Sequence, residues 1–267
     1  MKRKVSILGC GWLGKTLALE LTTNGWGVKG SVTSVEKLEV LQSAGITPFL
    51  IDLDKPDELP ADFLSDQLII AMPPGRNRNY AAYPFKIRRI IEPFLAHGSR
   101  VVLISSTAVY PKRSGNWKEE DSFIPDSETA MAIWNGESEL LNSGAVNSVI
   151  LRFAGLIDSD RNPATFNLSN RNQLIGNEPV NMIHRTDCIH ILKLLLANKE
   201  INGVFNACAD AHPVRSAFYE AAFRNTAKET PAMKAVDSPI HRIIDGAKLK
   251  TTLGFDYAFP DPVDFFR

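Results

Sequence analysis

The segment Val5-Ser6-Ile7-Leu8-Gly9-Cys10-Gly11-Trp12-Leu13-Gly14 constrains the fold more than any other stretch of the chain. A short apolar run enters Gly-x-Gly-x-x-Gly, and a helical pattern follows without a break. Leu13, Leu17 and Leu21 recur every fourth residue, and Asn24-Gly25 supplies a stop signal. In a strand–turn–helix of this kind Gly9 permits the tight turn and Gly11 lets the backbone approach phosphates. Gly14 lets the helix pack close to the strand. The free N–H groups and the positive end of the helix dipole then face an anion. A glycine turn alone has a purely structural explanation. Flanks that fit on both sides favour a dinucleotide pyrophosphate, with Cys10, Trp12 and Leu13 filling the loop between the glycines.

Strand-like runs at 4–8, 27–32, 46–51, 67–71, 100–105 and 147–153 alternate with helical patterns at 12–24, 35–44, 80–96 and 127–143. That order predicts an α/β, Rossmann-type doubly wound parallel sheet whose ligands sit beyond the carboxyl ends of the strands. Residues 1–155 read as the dinucleotide-binding core. Residues 156–267 read as a small C-terminal substrate-side lobe packed on that core rather than an independent domain. The lobe comprises a loop rich in Asn, Ser and Pro (158–181), a helix at 186–199, a strand at 203–207, a helix at 213–228 and a short helix at 245–253.

Bulk properties exclude several classes. Thirty basic residues balance thirty acidic ones, which leaves no electrostatic footprint for nucleic acid or an anionic membrane. Cys10, Cys188 and Cys208 are isolated and lack metal-ligand spacing, so they read as reduced thiols in a cytoplasmic protein without a bound metal. No window approaches the ~20 apolar residues of a membrane span. The basic start, residues 1–4, leads into a strand and not into a signal peptide.

The second strand ends Lys29-Gly30-Ser31-Val32-Thr33-Ser34-Val35-Glu36-Lys37, with no carboxylate before Glu36. An NAD site usually places an acidic side chain there for the ribose 2′-OH. Thr33, Ser34 and Lys37 instead suit a 2′-phosphate and favour NADP over NAD, although Thr33 and Ser34 also suit helix capping. Asp52, ending the third strand, is placed to meet the adenine edge. Ala71, Met72 and Pro73, at the mouth of the fourth strand, border the same cofactor. Arg76 and Arg78 beyond them are candidates for an anionic substrate or the pyrophosphate.

Further segments resemble the extended short-chain dehydrogenases/reductases, which include nucleotide-sugar epimerases and dehydratases. Val101-Val102-Leu103-Ile104-Ser105-Ser106-Thr107-Ala108-Val109-Tyr110 resembles that family's fifth strand and its Ser-Ser-x-x-Val-Tyr turn. Leu151–Leu156 is similar to the sixth strand, and Asn181–Asp187 to the later His-x-x-Asp opening of a helix. Gly203–Ala207 and Lys248–Phe255 are similar to the closing segments. The likeness spans almost the whole chain, with Gly-x-Gly-x-x-Gly marking an atypical member. It implies a mechanism in which a Tyr moves a proton, a Lys four residues on lowers its pKa, and a Ser polarises the substrate oxygen. Ser106 matches that Ser, and Ser105 beside it is assigned to the cofactor. It also implies dimers through the helices at 80–96 and 127–143, although core-covering helices share the stripe Ile87, Ile90, Ile91 and Phe94.

The Tyr–Lys pair is missing. Counting back from Glu139 puts Met131 at the Tyr position and Asn135 at the Lys position; no tyrosine lies between Tyr110 and Tyr219, and no lysine between Lys118 and Lys193. Losing a positioned general acid–base costs about 10²–10⁴-fold in rate. Tyr110, Tyr80, Tyr83 and His184 with Asp187 are the substitutes within reach, and Gly155 stands where nucleotide-sugar enzymes often carry Asn. Two functions stay open. One is an NAD(P)-dependent, epimerase/dehydratase-like oxidoreductase acting on a carbonyl or hydroxyl of a small, sugar-like substrate. The other is a non-catalytic NADP(H)-binding sensor or scaffold.

Overall fold

The computed structural model describes residues 3–75, 79–145, 147–166, 174–224 and 226–267. Seven parallel strands form the central sheet: β1 (Lys4–Leu8), β2 (Gly27–Val32), β3 (Thr47–Leu50), β4 (Gln67–Ile70), β5 (Arg100–Ser106), β7 (Val149–Phe153) and β10 (Gly203–Ala207). Their spatial order is β3-β2-β1-β4-β5-β7-β10. The chain winds outward from β1 to β3, then returns to the other side of β1 through β4. The crevice of a doubly wound sheet lies at that reversal, between the ends of β1 and β4.

Alternation along the strands explains why helices cover both faces. Leu68 and Ile70 of β4 face one side and Ile69 the other, and Val101 and Leu103 of β5 oppose Val102 in the same way. One side packs against α1 (Trp12–Thr23), α2 (Glu36–Ser43) and α5 (Arg185–Ala197). The other packs against α3 (Tyr83–Ala96) and α4 (Glu128–Leu141), where Ile87, Ile90, Ile91 and Phe94 are buried as core-covering residues. Among the described residues no helix is long and apolar enough to cross a membrane.

The C-terminal part of the chain is more ordered than its composition suggests. Two parallel strand pairs were not legible in the sequence: β6 (Gly115–Trp117) with β11 (Arg242–Ile244), and β8 (Gly155–Ile157) with β9 (Met182–His184). Three-residue strands carry too few positions for alternation to register. The stretch 158–181 includes a 3₁₀ turn at Pro163–Thr165, while residues 167–173 lie outside the described set. The expected helix at 213–228 is confined to α6 (Arg215–Phe223), and α7 (Ala247–Leu253) ends at Gly254 in the left-handed region. Both α5 and β10 lie beyond residue 155 yet complete the central layers. The lobe is therefore interleaved with the core and has a small apolar cluster of its own around Phe218, Phe223 and Phe266.

The turn after β1 is the tightest junction. Gly9 has φ +96°, and a Cβ there would lie 2.9 Å from the Ala71 carbonyl oxygen. A Cβ on Gly14 would lie 2.3 Å from the Gly9 carbonyl oxygen. Both obstacles are backbone, so neither can swing aside. Gly14→Ala is accordingly expected to destabilise the protein by about 1–3 kcal/mol, against the usual gain for Gly→Ala inside a helix. A lowered urea midpoint at unchanged slope is the measurement.

Candidate functional site

The glycine turn is held from β2. Ser31 Oγ accepts the Gly9 N–H at 2.9 Å, and the Ser31 carbonyl accepts the Cys10 N–H at 2.8 Å. Gly11 stands at the N-cap of α1 without a side-chain cap, and a Cβ on it would meet nothing within 4 Å. The first turn of α1 carries no acidic residue. Unpaired N–H groups beside open space are what a pyrophosphate requires. A cavity of about 340 Å³ begins here, lined by Gly9, Cys10 and Gly11, by Thr33 and Lys37, by Asp52, and by Ala71, Met72 and Pro73. These residues fit a dinucleotide.

Other residues assigned to the cofactor are used differently. Leu13 is 7% exposed and packs into the core, because a helix starting at Trp12 turns position 13 toward the sheet. Gly14 lies beneath the turn as a close-approach position. The Cys10 side chain is buried against Gly30, and burial pushes its thiol up to about 12, so only its backbone serves the turn. Ser34 makes no side-chain cap to α2 and is absent from the cavity wall. Trp12 turns toward the lobe: its indole N–H donates to Asp160 at 2.8 Å, and Arg185 lies over its ring at 4.5 Å. Ser105 donates to Glu137 at 2.5 Å and is absent from the wall of either cavity. Arg76 and Arg78 lie outside the described residues.

Ser106 points to the opposite side from Ser105. It accepts the Ala108 N–H at 3.1 Å, capping the 3₁₀ turn Thr107–Val109, and it also lines a second cavity of about 460 Å³. Gly155, Asn181, Arg215 and Arg242 share that wall. A Cβ on Gly155 would lie 2.6 Å from the sulfur of the flexible Met182 side chain and 3.1 Å from the Asn181 carbonyl oxygen.

Met131 and Asn135 do not face the site. Met131 is 42% exposed, and Asn135 is exposed with it on the outer stripe of α4. Ile133, Glu137 and Leu140 are buried on the opposite stripe. The glutamate that turns to the sheet is therefore Glu137, while Glu139 binds the exposed Arg88 of α3. Counting from Glu137 shifts the Tyr and Lys positions to Thr129 and Ile133. The helix thus presents a hydroxyl and an aliphatic side chain where a phenol and an ammonium would stand.

Of the proposed proton carriers, Tyr83 is buried at the wall of the first cavity, where burial pushes its pKa up, while Tyr110 and His184 are engaged by neighbouring groups. Tyr110 is fully buried; its hydroxyl accepts from Arg152 at 2.7 Å and donates toward the Asn206 side-chain oxygen at 2.9 Å. Burial pushes its pKa up to about 12 against the pull of Arg152. His184 caps α5 by accepting the Thr186 N–H at 3.2 Å, and it is clasped between Phe259 and Phe265, each ring 4.3 Å away. Desolvation pushes its pKa down, with Asp158 and Asp187 opposing. Asp187 accepts the N–H groups of Ala258 and Phe259, fastening the C-terminal segment. The three thiols are buried and unpaired, and among the described residues no His/Cys/Asp/Glu cluster is arranged for a metal.

No protein-family model matches the chain. Protein YeeZ of Escherichia coli strain K12 is 33% identical over 269 residues, covering 98% of both proteins. The chain belongs to the YeeZ family. UDP-glucuronic acid 4-epimerase from Bacillus cereus, solved in complex with NAD, superposes with a TM-score of 0.78 at 18% identity over 98% of each chain. A functionally unknown conserved protein from Silicibacter pomeroyi DSS gives 0.78 at 20% identity, over 99% of this chain and 97% of the other. The chain therefore shares its fold with both of these proteins.

In this YeeZ-family site, sequence reasoning missed Arg242, Arg215 and Lys112 of the second cavity, and the buried partners Glu137, Arg152 and Asn206 that surround the named Tyr110. The first three had no spacing signal. Arg152 and Asn206 did have one, since a polar residue inside an apolar central strand must find a buried partner. Arg152 and Glu137 pair at 2.7 Å with side chains 4% and 2% exposed. Burial alone would lower the Arg152 pKa, but Glu137 outweighs it and leaves the guanidinium raised. Glu137→Gln should cost about 3–5 kcal/mol by stranding that charge, whereas replacing both partners with Met should cost much less; urea unfolding of the three proteins measures both. Because His184 titrates below the ordinary imidazole value of about 6.5, the unfolded chain binds more protons as pH falls through that value. Stability should then decline with acidity until pH passes the folded-state pKa. His184→Asn, which preserves a capping acceptor, should flatten the decline in unfolding titrations between about pH 7.5 and 5.

Proposed function

We propose that this YeeZ-family protein binds a nicotinamide dinucleotide, NADPH in preference to NADH, against the turn after β1. It presents to that cofactor a small, sugar-like carbonyl or hydroxyl compound held beside Ser106. The observation that carries this reading is the single cavity joining the uncapped start of α1 to Thr33 and Lys37 on one side and Ala71–Pro73 on the other. Its support includes the NAD complex of the Bacillus cereus epimerase that shares the fold. When bound, the nicotinamide would supply a hydride. The chain's own contribution is positional: Ser31 fixes the turn, the α1 amides receive the pyrophosphate, and Lys37 with Thr33 receives the 2′-phosphate. Ser106 offers its hydroxyl to the substrate oxygen.

A second reading rests on Thr129 and Ile133. With no phenol or ammonium on the inner stripe of α4, the same pocket suits a sensor that holds NADP(H) without turnover. Offering a carbonyl library to the NADPH-loaded protein separates the two. An oxidoreductase consumes NADPH absorbance and loses that rate in Ser106→Ala, whereas a sensor does neither.

Calorimetric titration tests the cofactor assignment. Lys37→Ala should weaken NADPH about tenfold or more, a loss of about 1.4 kcal/mol or above, and leave NADH unchanged. Such a loss is in keeping with one charge-assisted hydrogen bond. Equal affinity of the unmodified protein for NADPH and NADH would overturn the preference.

A further inference from the structure

The lining of the second cavity carries a net positive charge. Lys112, Arg215 and Arg242 line it together with one carboxylate, Glu178, which is already bonded to Arg215 at 2.8 Å. The chain as a whole is electrically neutral, so this local excess is not a by-product of a basic protein. Arg242 is the notable member. It is half-buried on β11, its Nη1 donates to the Tyr110 carbonyl at 3.2 Å, and among the described residues no carboxylate lies within ion-pair distance of it. Asp126 is the acidic group that acts on it from further away, and one oxygen of Asp126 accepts the Lys112 backbone N–H. Burial lowers the Arg242 pKa. A partly desolvated guanidinium with no carboxylate in ion-pair contact, Asp126 acting on it only from further away, gains from an oxyanion that takes its remaining N–H groups in a fork. The Lys112 ammonium, also without a partner among the described residues, opens onto the same space.

We propose that this cavity is an oxyanion subsite, in which Arg242 and Lys112 hold a carboxylate or phosphate group of the substrate with its reactive carbon turned to Ser106. The proposal rests on the reading of the Ser106 cavity as the substrate side of the cofactor site. The bond that Arg242 makes to the Tyr110 carbonyl places the guanidinium on the turn that begins at Ser106, so one ligand can touch both. Neutral sugars offer this pair of cations no counter-charge. Sugar acids and sugar phosphates do.

The test uses the full chain and named probes: inorganic phosphate, D-glucuronate and D-glucose 6-phosphate, with neutral D-glucose and matched sodium chloride as controls. Affinity is read from protection against thermal unfolding, with and without saturating NADPH. The unmodified protein should be protected by at least one oxyanion and not by glucose or chloride. Arg242→Gln should weaken that protection at least tenfold, Arg242→Lys less, and the exposed Lys112→Gln by about threefold. Comparison of glucuronate with glucose 6-phosphate identifies the preferred oxyanion. Should Arg242→Gln unfold, Lys112→Gln and Arg242→Lys still carry the test. The proposal is overturned if no oxyanion protects the unmodified protein, if chloride protects equally, or if the folded Arg242 and Lys112 variants bind as the parent does. NADPH titration of the unmodified protein is read separately, so failure of the cofactor site leaves a distinct signature from failure of the oxyanion subsite.

Discussion

Everything above the sheet depends on the close approach of three backbone segments at the ends of β1 and β4. The Gly9 carbonyl fills the space that a side chain on residue 14 would need, and the Ala71 carbonyl fills the space that one on residue 9 would need. Only glycine satisfies both contacts, and Gly9 must also hold φ at +96°. This contact draws the start of α1 down onto the strand ends. It leaves Gly11 facing open space, with the helix amides uncapped. A looser junction would tilt α1, separate its amides from the end of β2, and divide the cavity that now joins them. Cofactor geometry here is a packing property before it is a chemical one.

A second constraint lies under the Ser106 cavity. Arg152 and Glu137 are withdrawn from water on β7 and α4, and their pairing is worth retaining only because every polar atom around it is engaged. Tyr110 accepts from Arg152, Asn206 accepts from Tyr110, and Ser105 donates to Glu137. The group fastens β5, β7, β10 and α4 at the level of Ser106. It also fixes the rotation of α4, because a helix that must bury Glu137 cannot present Met131 or Asn135 to the pocket. Rotation of a helix is decided by its most expensive buried residue, and here that residue is charged.

The two cavities divide the work. One is lined by the glycine turn, by Thr33, Lys37 and Asp52, and by Ala71–Pro73, and it is closed by Asn79 and by Tyr83 and Lys86 at the start of α3. The other forms where β5 meets segments far away in sequence: Asn181 and Met182 near β9, Arg215 on α6 and Arg242 on β11. Arg215 and Arg242 come from the lobe, whereas Lys112 and the Ser106 hydroxyl come from the core. The clasp of His184 between Phe259 and Phe265, and the hold of Asp187 on Ala258 and Phe259, keep the C-terminal segment against α5. Residues that resemble a reactive His–Asp couple serve as a hinge pin for the lobe.

The sequence by itself determined the parallel sheet, the order of its helices, the glycine turn and the lack of a tyrosine and lysine on α4. Those features are written in local periodicity and in residues whose backbone demands are unique, and both act over a few positions. Tertiary structure alone decided which of two adjacent glutamates turns inward, and therefore that Thr129 and Ile133 stand at the inner stripe. It also decided that Tyr110 and His184 are locked as structural groups, and that Lys112 and Arg242 meet Ser106. Each of these depends on burial or on charge compensation between different elements, whether 15 residues apart, as with Glu137 and Arg152, or far more, as with Ser106 and Arg242. Desolvation and pairing energies of that kind are set by which surfaces close on one another, and no local pattern of side chains records them.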